Sequence, residues 1–374
     1  MIIGLLKDAA PERRVALFPE HVKHLISLKT EIWVEQGAGA GAFAADEAYV
    51  EAGARVVSRG EVLEHADLLV QVSEPDNSLA DHLKPEQIWL SEYKPLWNTG
   101  LVKKFAEKKL TSFSMDTIPR STRAQAMDVL SSQSTVSGYK AVLDAAMHLP
   151  TFFPMFMSAA GTIRPANVLV LGAGVAGLQA IAIARRMGAQ VEAFDVRSAV
   201  KEEVMSLGAR FVEVEGAKED VAAGGYAVEQ TDEYKKRQQE AINRHAIKAN
   251  VVICTAQIPG RKAPLLISKE VVAGMQAGSV IIDLAASTGG NCELSEDNKT
   301  VVKHGVTIIG QSNYPAQMPK DASKMFGKNV SNFLELLIAG DGSLKLDFND
   351  EIVRGTCITH QGEIYNERVK SVIE

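Results

Sequence analysis

A glycine-rich segment in the middle of the chain has the residue types and spacing of a phosphate-binding turn. Gly172, Gly174 and Gly177 form a Gly-x-Gly-x-x-Gly pattern between the apolar run Val168–Leu171 and the helical run Leu178–Met187. The first glycine permits a tight turn, the second lets the backbone approach a pyrophosphate, and the third allows close packing of helix and strand. We therefore predict a dinucleotide site with its phosphates at the helix N-terminus. The predicted contacts in this segment are Gly172, Ala173, Gly174, Val175 and Gly177.

An acidic residue stands at the end of the next predicted strand. Asp195 follows Gln190–Phe194, and its carboxylate can accept hydrogen bonds from ribose hydroxyls. The same negative charge would repel a 2′-phosphate, which favours NAD(H) over NADP(H). Arg197 leaves an alternative open, because an arginine here could pair with a 2′-phosphate, lie across the adenine or face solvent. We assign Asp195, Val196 and Arg197 to the cofactor site.

Strand-like and helix-like segments that could position these residues alternate along the chain. The first series of predicted strands is Ile2–Lys7, Ile32–Val34, Asp67–Val72, Ile88–Tyr93 and Thr111–Met115. The second series is Asn167–Leu171, Gln190–Phe194, Arg210–Val214, Asn250–Ile253, Ser279–Leu284 and Val306–Ile309. This order predicts an α/β fold of two Rossmann-like domains, with mainly parallel sheets, flanking a cleft.

The connections between these series set the predicted domain boundaries. Residues 121–149 read as one long connecting helix, and residues 321–338 as a second helix with Asp321 as its N-cap, followed by a polar, turn-rich tail. We predict a discontinuous first domain of residues 1–130 plus 315–374, and a dinucleotide-binding domain of residues 131–314. The Gly-, Ala- and Glu-rich segment 213–232 is a candidate mobile lid.

Composition excludes several classes of function. The net charge of −6, with acidic and basic residues mixed along the 374 residues, argues against a nucleic-acid partner. No run approaches the roughly 20 apolar residues of a membrane span, and the N-terminus reads as a first strand rather than a signal peptide. The three widely spaced cysteines suit neither a disulfide framework nor a zinc site, and His21 and His24 lack a third ligand. We therefore expect no metal site, and we expect the histidines to lie at the surface. The cysteines are Cys254, Cys292 and Cys357.

The segment Glu12–Pro19 after the first strand resembles both alanine dehydrogenases and transhydrogenase NAD-binding domains, and the resemblance covers essentially the whole chain. Alanine dehydrogenases carry a lysine, a catalytic histidine and an aspartate where this chain has Ser73, Ser91 and Ser287. Arg14 matches their carboxylate-binding arginine, although it could equally be structural. The three serines favour the transhydrogenase side, because transfer between two nicotinamide rings needs no proton-transferring group.

Residues 120–132 resemble the loop that reaches the nicotinamide in transhydrogenases. The resemblance implies catalytic roles for Arg120, Gln125 and Asp128. It implies cofactor contacts for Arg120, Ser121, Thr122, Arg123, Gln125 and Ser131. An Arg–Asp pair could lock this loop; the alternative is a capped helix start with an ordinary salt bridge.

Other cofactor contacts come from the same resemblance. Gly225 and Tyr226 look like the tip of a loop that closes over the nucleotide, and Gln238 follows on the next helix. Gln257 lies in Thr255–Gly260, where related domains carry a leucine beside the nicotinamide ribose, so its own contact is open.

The resemblance implies a function and a set of partners. It is to the NAD(H)-binding domain I of the alpha subunit of proton-translocating NAD(P)⁺ transhydrogenases. These enzymes transfer a hydride directly from NADH to NADP⁺ in a Si-specific/Re-specific reaction. The expected partners are an NADP(H)-binding subunit, a transmembrane proton-channel subunit and a second copy of the chain. The expected location is cytoplasmic, peripheral on the inner-membrane complex, and the chain stops about where domain I ends. The alternatives are an alanine dehydrogenase-like amino-acid dehydrogenase and a non-catalytic NAD-sensing or scaffold protein.

Overall fold

The computed structural model describes residues 1–214, 216, 231–258 and 260–373, with only the backbone of residue 77. The chain divides into two compact units, Met1–Gln133 with Pro315–Glu374, and Ser134–Tyr314. The strands are β1 Ile2–Leu5, β2 Glu31–Glu35, β3 Arg55–Val57, β4 Leu68–Val70, β5 Ile88–Ser91, β6 Thr111–Ser114, β7 Phe156–Ser158, β8 Gly161–Ile163, β9 Asn167–Leu171, β10 Gln190–Phe194, β11 Arg210–Phe211, β12 Val251–Cys254, β13 Val280–Asp283, β14 Lys299–Lys303, β15 Val306–Gly310, β16 Cys357–His360 and β17 Glu363–Ile364.

Helices connect most of these strands. They are α1 Pro19–Ser27, α2 Asp46–Glu51, α3 Arg59–His65, α4 Asn77–His82, α5 Thr99–Glu107, α6 Val129–His148, α7 Val175–Arg186, α8 Lys201–Ser206, α9 Asp232–Ala246, α10 Lys269–Gly274, α11 Pro319–Leu336, α12 Glu351–Thr356 and α13 Glu367–Ile373.

The first unit is built on a sheet in the order β17-β16-β6-β5-β4-β1-β2-β3. The pairs from β3 across to β6 are parallel, whereas β16 pairs antiparallel with both β6 and β17. Along β4, Leu68 and Val70 pack into one apolar cluster and Leu69 into another. Burial of both faces is expected of a parallel sheet covered by helices.

The second unit has the sheet order β11-β10-β9-β12-β13-β15-β14, with every pair parallel except β14 with β15. Strands β9 to β13 and β15 follow the doubly wound order 3-2-1-4-5-6. In this order the direction in which strands are added to the sheet reverses between the first strand, β9, and the fourth, β12. Val168 and Val170 of β9 pack on one side, and Leu169 and Leu171 on the other. The prediction of an α/β fold with mainly parallel, Rossmann-like sheets is confirmed.

The predicted long connecting helix over residues 121–149 is wrong at its start. A 3₁₀ helix runs over Thr122–Met127, and α6 begins only at Val129. Asp128 separates them because its carboxylate accepts hydrogen bonds from the Ser131 backbone N–H (2.9 Å) and hydroxyl (2.6 Å). A side chain that satisfies N–H groups of a new first turn is the usual start of a helix.

Three smaller expectations also differ. Asp321 is not the N-cap of α11, because Pro319 occupies the first turn and Met318 is the cap. The tail after α11 is more ordered than a turn-rich segment, since it contributes β16 and β17 to the first sheet. His21 is buried rather than at the surface, with 5% of its area exposed.

Candidate functional site

The glycine-rich turn lies between β9 and α7, at the carboxyl edge of the second sheet. Gly172 has φ +101°, and a Cβ there would lie 2.5 Å from Thr255 Oγ1. A Cβ on Gly177 would lie 1.9 Å from the Gly172 carbonyl oxygen, so both positions require glycine. A Cβ on Gly174 would meet nothing within 4 Å among the described residues. The turn is therefore closely packed at Gly172 and Gly177 and open at Gly174, as a backbone cradle for phosphate requires.

Asp195 follows β10 and is tied directly to this turn. Its Oδ2 accepts a hydrogen bond from the Ala173 N–H at 2.7 Å. Arg197 folds back on the same carboxylate: its backbone N–H and Nε donate to Oδ1 (2.9 Å each), and Nη2 donates to Oδ2 (2.8 Å). The hydrogen bond to Asp195 raises the pKa of Arg197 above its usual range. The four acceptor positions of the carboxylate are thereby used.

A second loop, after β12, lies beside the glycine-rich turn. The Thr255 N–H donates to the Leu171 carbonyl at 2.8 Å, and Thr255 Oγ1 donates to the Gly172 carbonyl at 3.1 Å. Gln257 Nε2 donates to the Leu284 carbonyl at 2.9 Å, so this side chain links the loops after β12 and β13. The structure thus brings three of the predicted segments together at one sheet edge, those at Gly172, Asp195 and Gln257.

The other predicted residues of the second unit are placed as follows. Val175 begins α7 and is 42% exposed, Val196 is half-buried, and Gln238 is half-buried on α9. Gly225 and Tyr226, with most of the segment 213–232 expected to form a lid, lie outside the described residues.

The predicted nicotinamide loop belongs to the first unit and is anchored from its apolar side. Ala124 and Met127 are buried in the core, while Asn329 and Asn332 each donate to the Ala126 carbonyl at 2.8 Å. Among the side chains assigned to the cofactor, Arg120, Thr122, Arg123 and Gln125 are exposed, whereas Ser121 and Ser131 are half-buried.

An Arg–Asp pair does hold this loop, with a partner that the sequence pattern did not indicate. The Arg123 guanidinium is hydrogen-bonded to both oxygens of Asp350, the residue that caps α12. Asp128 instead accepts from Ser131. Asp350 lies far away in sequence and could not have been paired with Arg123 from local spacing.

Residues at the positions where alanine dehydrogenases carry substrate-binding or catalytic groups form hydrogen bonds within the fold of this chain. The buried Ser91 hydroxyl accepts from Trp89 Nε1 at 2.9 Å, and the Ser73 N–H donates to Asp8 at 2.9 Å. Arg14 is 8% exposed and donates to both Glu12 oxygens (2.9 and 2.8 Å) and to Gln133 Oε1 (2.9 Å). Its charge is neutralised within the fold, which matches the structural alternative.

Neither a metal centre nor a membrane span is present in the part of the chain that the structure describes. No group of three or more His, Cys, Asp or Glu side chains among the described residues is placed to hold a metal ion. Within the same part of the chain, no helix is long and apolar enough to cross a membrane.

Comparison with known proteins defines the class. The family described as "Alanine dehydrogenase/PNT, N-terminal domain" matches residues 4–137, and its C-terminal counterpart matches residues 141–367. The chain therefore belongs to the family that unites alanine dehydrogenases with NAD(P) transhydrogenase alpha subunits, as the sequence resemblance predicted.

Within this family, the chain is more similar in sequence to the transhydrogenases found than to the alanine dehydrogenases. The chain is 46% identical to the first part of NAD(P) transhydrogenase subunit alpha of Rhodospirillum rubrum, with 97% of each chain covered. It is similar to the crystal structure of transhydrogenase from Sinorhizobium meliloti, with a TM-score of 0.89, 41% identity, and 97% and 100% of the two chains covered. Alanine dehydrogenase of Mycobacterium tuberculosis is 29% identical, with 96% and 92% covered.

Proposed function

We propose that this chain is the NAD(H)-binding subunit of a proton-translocating NAD(P) transhydrogenase. The observation that carries the proposal is the 46% identity to the first part of a transhydrogenase alpha subunit across 97% of both chains. The serines at positions 73, 91 and 287, where alanine dehydrogenases carry residues of amino-acid chemistry, support it, because an amino-acid dehydrogenase must move a proton as well as a hydride.

NAD(H) is the nucleotide assigned to the second unit. The cradle at Gly172, Gly174 and Gly177 fits a pyrophosphate, and Asp195 beside it fits a ribose diol. A ribose that binds Asp195 must replace one of its present donors. Arg197 is the donor that can leave, since its side chain is 28% exposed and Ala173 donates from the backbone. The remaining contacts proposed in this unit are Val175, Val196, Tyr226, Gly225, Gln238 and Gln257.

The contribution of the chain to the reaction is orientation. When bound, the nicotinamide supplies a hydride at its C4 carbon. Gln125 and Ser131 offer groups that can hydrogen-bond a carboxamide or ribose, and Arg120 offers a cation. Asp128 fixes the start of α6 through Ser131, which sets the end of this loop. Holding the ring so that it reaches its partner without rearrangement is a large part of such catalysis, and no general base is proposed.

The partners belong to the same proposal. NADP(H) is held on a separate subunit, and a transmembrane proton-channel subunit couples hydride transfer to proton movement at the cytoplasmic face of the membrane. A second copy of the chain is proposed to cover the β7–β8 hairpin and the segment just before it, an apolar surface patch of the kind that marks protein contacts. Its exposed side chains are Phe152 (47%), Met155 (59%), Phe156 (48%), Met157 (73%) and Ile163 (44%). A monomeric mass in sedimentation equilibrium at micromolar concentration would refute the homodimer.

Reconstitution tests the activity. The purified chain is mixed with the NADP(H)-binding domain of another transhydrogenase, and reduction of an NAD⁺ analogue by NADH is followed with NADP(H) present. We expect turnover only when both proteins are present. NADH oxidation by pyruvate and ammonia with the chain alone would instead establish an amino-acid dehydrogenase, and NADH binding with neither reaction would indicate a sensing or scaffold protein.

A substitution in the loop tests the site assignment. Gln125→Ala should slow hydride transfer on the order of tenfold or more and change NADH affinity by less than about threefold, because the phosphate and adenosine contacts lie elsewhere. Gln36→Ala removes another exposed glutamine of the first unit and serves as the control. Equal losses of binding and transfer in Gln125→Ala would contradict the assigned role.

A further inference from the structure

A buried polar network joins the loops that follow β12 and β13. Asp283, the last residue of β13, is fully buried. Its Oδ1 accepts from the Ala285 N–H (3.0 Å), and its Oδ2 accepts from the Asn291 and Cys292 N–H groups (2.9 and 3.0 Å) and from Ser295 Oγ (2.6 Å). A carboxylate with this many donors holds the loop after β13 in one shape, since a buried charge is costly without them.

Asn291 connects this loop to the loop after β12 by hydrogen bonds. Its side chain is also fully buried, and its Oδ1 accepts from the Ala256 N–H at 3.1 Å. Its Nδ2 donates to the carbonyls of Ala256 (2.9 Å) and Pro264 (2.8 Å). One side chain thus binds both ends of the segment 256–264, which contains Gln257.

The position of this network in the sheet indicates which half of the nucleotide it serves. Strands β9, β10 and β11 form one half of the doubly wound sheet, and β12, β13 and β15 form the other. The two halves of a dinucleotide lie across the reversal point, with the pyrophosphate at the first strand. Because the glycine-rich turn and Asp195 belong to the first half, the loops after β12 and β13 belong to the nicotinamide half.

We propose that Asn291, anchored by Asp283, is a positioning residue that sets the backbone around Ala256 and Gln257 for the nicotinamide end of bound NAD(H). It acts through this backbone and does not itself touch the reacting atoms. The inference rests on the proposed function for the role of the ring, whereas the network itself is independent of it. A nucleotide contact made by a loop backbone depends on where that loop is held. Two carbonyls and one N–H of this loop have the buried Asn291 side chain as their partner.

Asn291→Asp is the direct test, because it keeps the shape and replaces the Nδ2 donor by an acceptor facing two carbonyls. Asn291→Ser, which removes the donor without adding charge, is the second variant. Asn250→Asp is the control: Asn250 Oδ1 accepts from the Asn167 N–H at 2.9 Å, at the opposite edge of the same sheet. The affinity for ADP-ribose, which lacks only the nicotinamide, is measured alongside hydride transfer to NADP⁺ on the partner domain.

We expect both Asn291 variants to bind ADP-ribose within about threefold of the unsubstituted chain and to transfer hydride on the order of tenfold or more slowly, since a displacement of about 1 Å can cost roughly 100-fold. Asn250→Asp should change neither. An unchanged transfer rate, or equal losses of ADP-ribose affinity and rate in both variants, would overturn the proposal.

A second readout separates this inference from the function on which it rests. The anisotropy decay of bound NADH fluorescence reports the motion of the dihydronicotinamide on the chain alone. We expect Asn291→Asp to add a fast component that Asn250→Asp does not. If the unsubstituted chain transfers no hydride with its partner, the proposed function fails, while an unchanged decay in Asn291→Asp would refute the positioning role in either case.

Discussion

Asp195 is the residue on which nucleotide choice is expected to depend. Asp195→Asn keeps its shape and removes the negative charge that a 2′-phosphate would meet. We expect the ratio of NADPH to NADH affinity to rise at least about tenfold, or ~1.4 kcal/mol, measured by fluorescence titration of both nucleotides. Glu192→Gln is the control, because it removes a charge from β10, the strand that Asp195 follows; Glu192 pairs with His245. An unchanged ratio would mean that Asp195 does not select against the phosphate.

His21 gives a pH-dependent prediction for stability. Its Nδ1 accepts from the Phe18 N–H at 3.1 Å, and burial lowers its pKa from 6.5 to about 4. The titratable groups around it are Glu20, His24, Lys324 and Lys328. The unfolded chain therefore takes up a proton near pH 6.5 before the folded chain does, and stability is lost as pH falls from 6.5 towards 4.

His21→Gln isolates this effect, because glutamine at the third position of a helix can keep the hydrogen bond to the cap residue and does not titrate. From pH 7 to pH 5 the unsubstituted chain should lose about 2 kcal/mol relative to the variant, measured by urea unfolding. His24→Gln removes an exposed histidine from the same helix as the control. A difference between His21→Gln and the unsubstituted chain that stays constant with pH would contradict this explanation.

The residues of the site differ in how far the sequence could indicate them. The Gly172–Gly177 pattern and Asp195 could be predicted because their chemistry is local: a turn, a helix start and the end of the next strand. Asn291 could not, because its hydrogen bonds reach Ala256 and Pro264, which are 35 and 27 residues away. Nothing in the spacing of these residues indicates which loops will lie together.

At the level of elements, α6 packs against the start of α7 with no room for a side chain between them. A Cβ on Gly138 would lie 2.2 Å from the Ala176 carbonyl oxygen, in the first turn of the helix that follows the glycine-rich turn. This close approach makes the position of α7 depend on Gly138, although Gly138 lies outside the dinucleotide pattern.

Gly138→Ala should therefore destabilise the fold by about 1–3 kcal/mol, as overpacking does, and weaken NADH binding because α7 must shift. Gly100→Ala is the matched control, since Gly100 is a helical glycine whose Cβ would meet nothing within 4 Å among the described residues. That control should be neutral or stabilising by up to about 1 kcal/mol. Thermal unfolding and NADH titration of both variants test this prediction. Equal stability and equal NADH affinity in the two variants would show that the close contact at Gly138 does not constrain α7.

Elements that depend on local patterns were predicted well, and those that depend on distant partners were not. The buried strands β9, β12 and β13 are apolar runs that alternate with helices, so they could be predicted. Residues 121–149 have a helix-compatible pattern, but the distant Asn329 and Asn332 donate to the Ala126 carbonyl, and Ser131 donates to Asp128 where α6 starts. Strand β16 forms because Thr111–Ser114 offers a free sheet edge, which the sequence of the tail alone cannot indicate.

On the scale of the whole molecule, we interpret the chain as a nucleotide-holding subunit that needs a partner to complete its reaction. In this interpretation the cradle, Asp195 and the network around Asn291 hold a nucleotide, and the serines at positions 73, 91 and 287 supply no group that exchanges protons near pH 7. Similarity to the first part of a transhydrogenase alpha subunit along 97% of both chains agrees with this division of labour.

The most direct test of this interpretation follows the hydride itself. NADH carrying two deuterium atoms at C4 is mixed with the chain, NADP⁺ and the NADP(H)-binding domain of another transhydrogenase, and the NADPH formed is analysed by mass spectrometry. Direct transfer predicts one deuterium in each NADPH molecule, and no NADPH when either protein is omitted. Unlabelled NADPH, or no NADPH with both proteins present and both nucleotides bound, would contradict direct transfer from this chain.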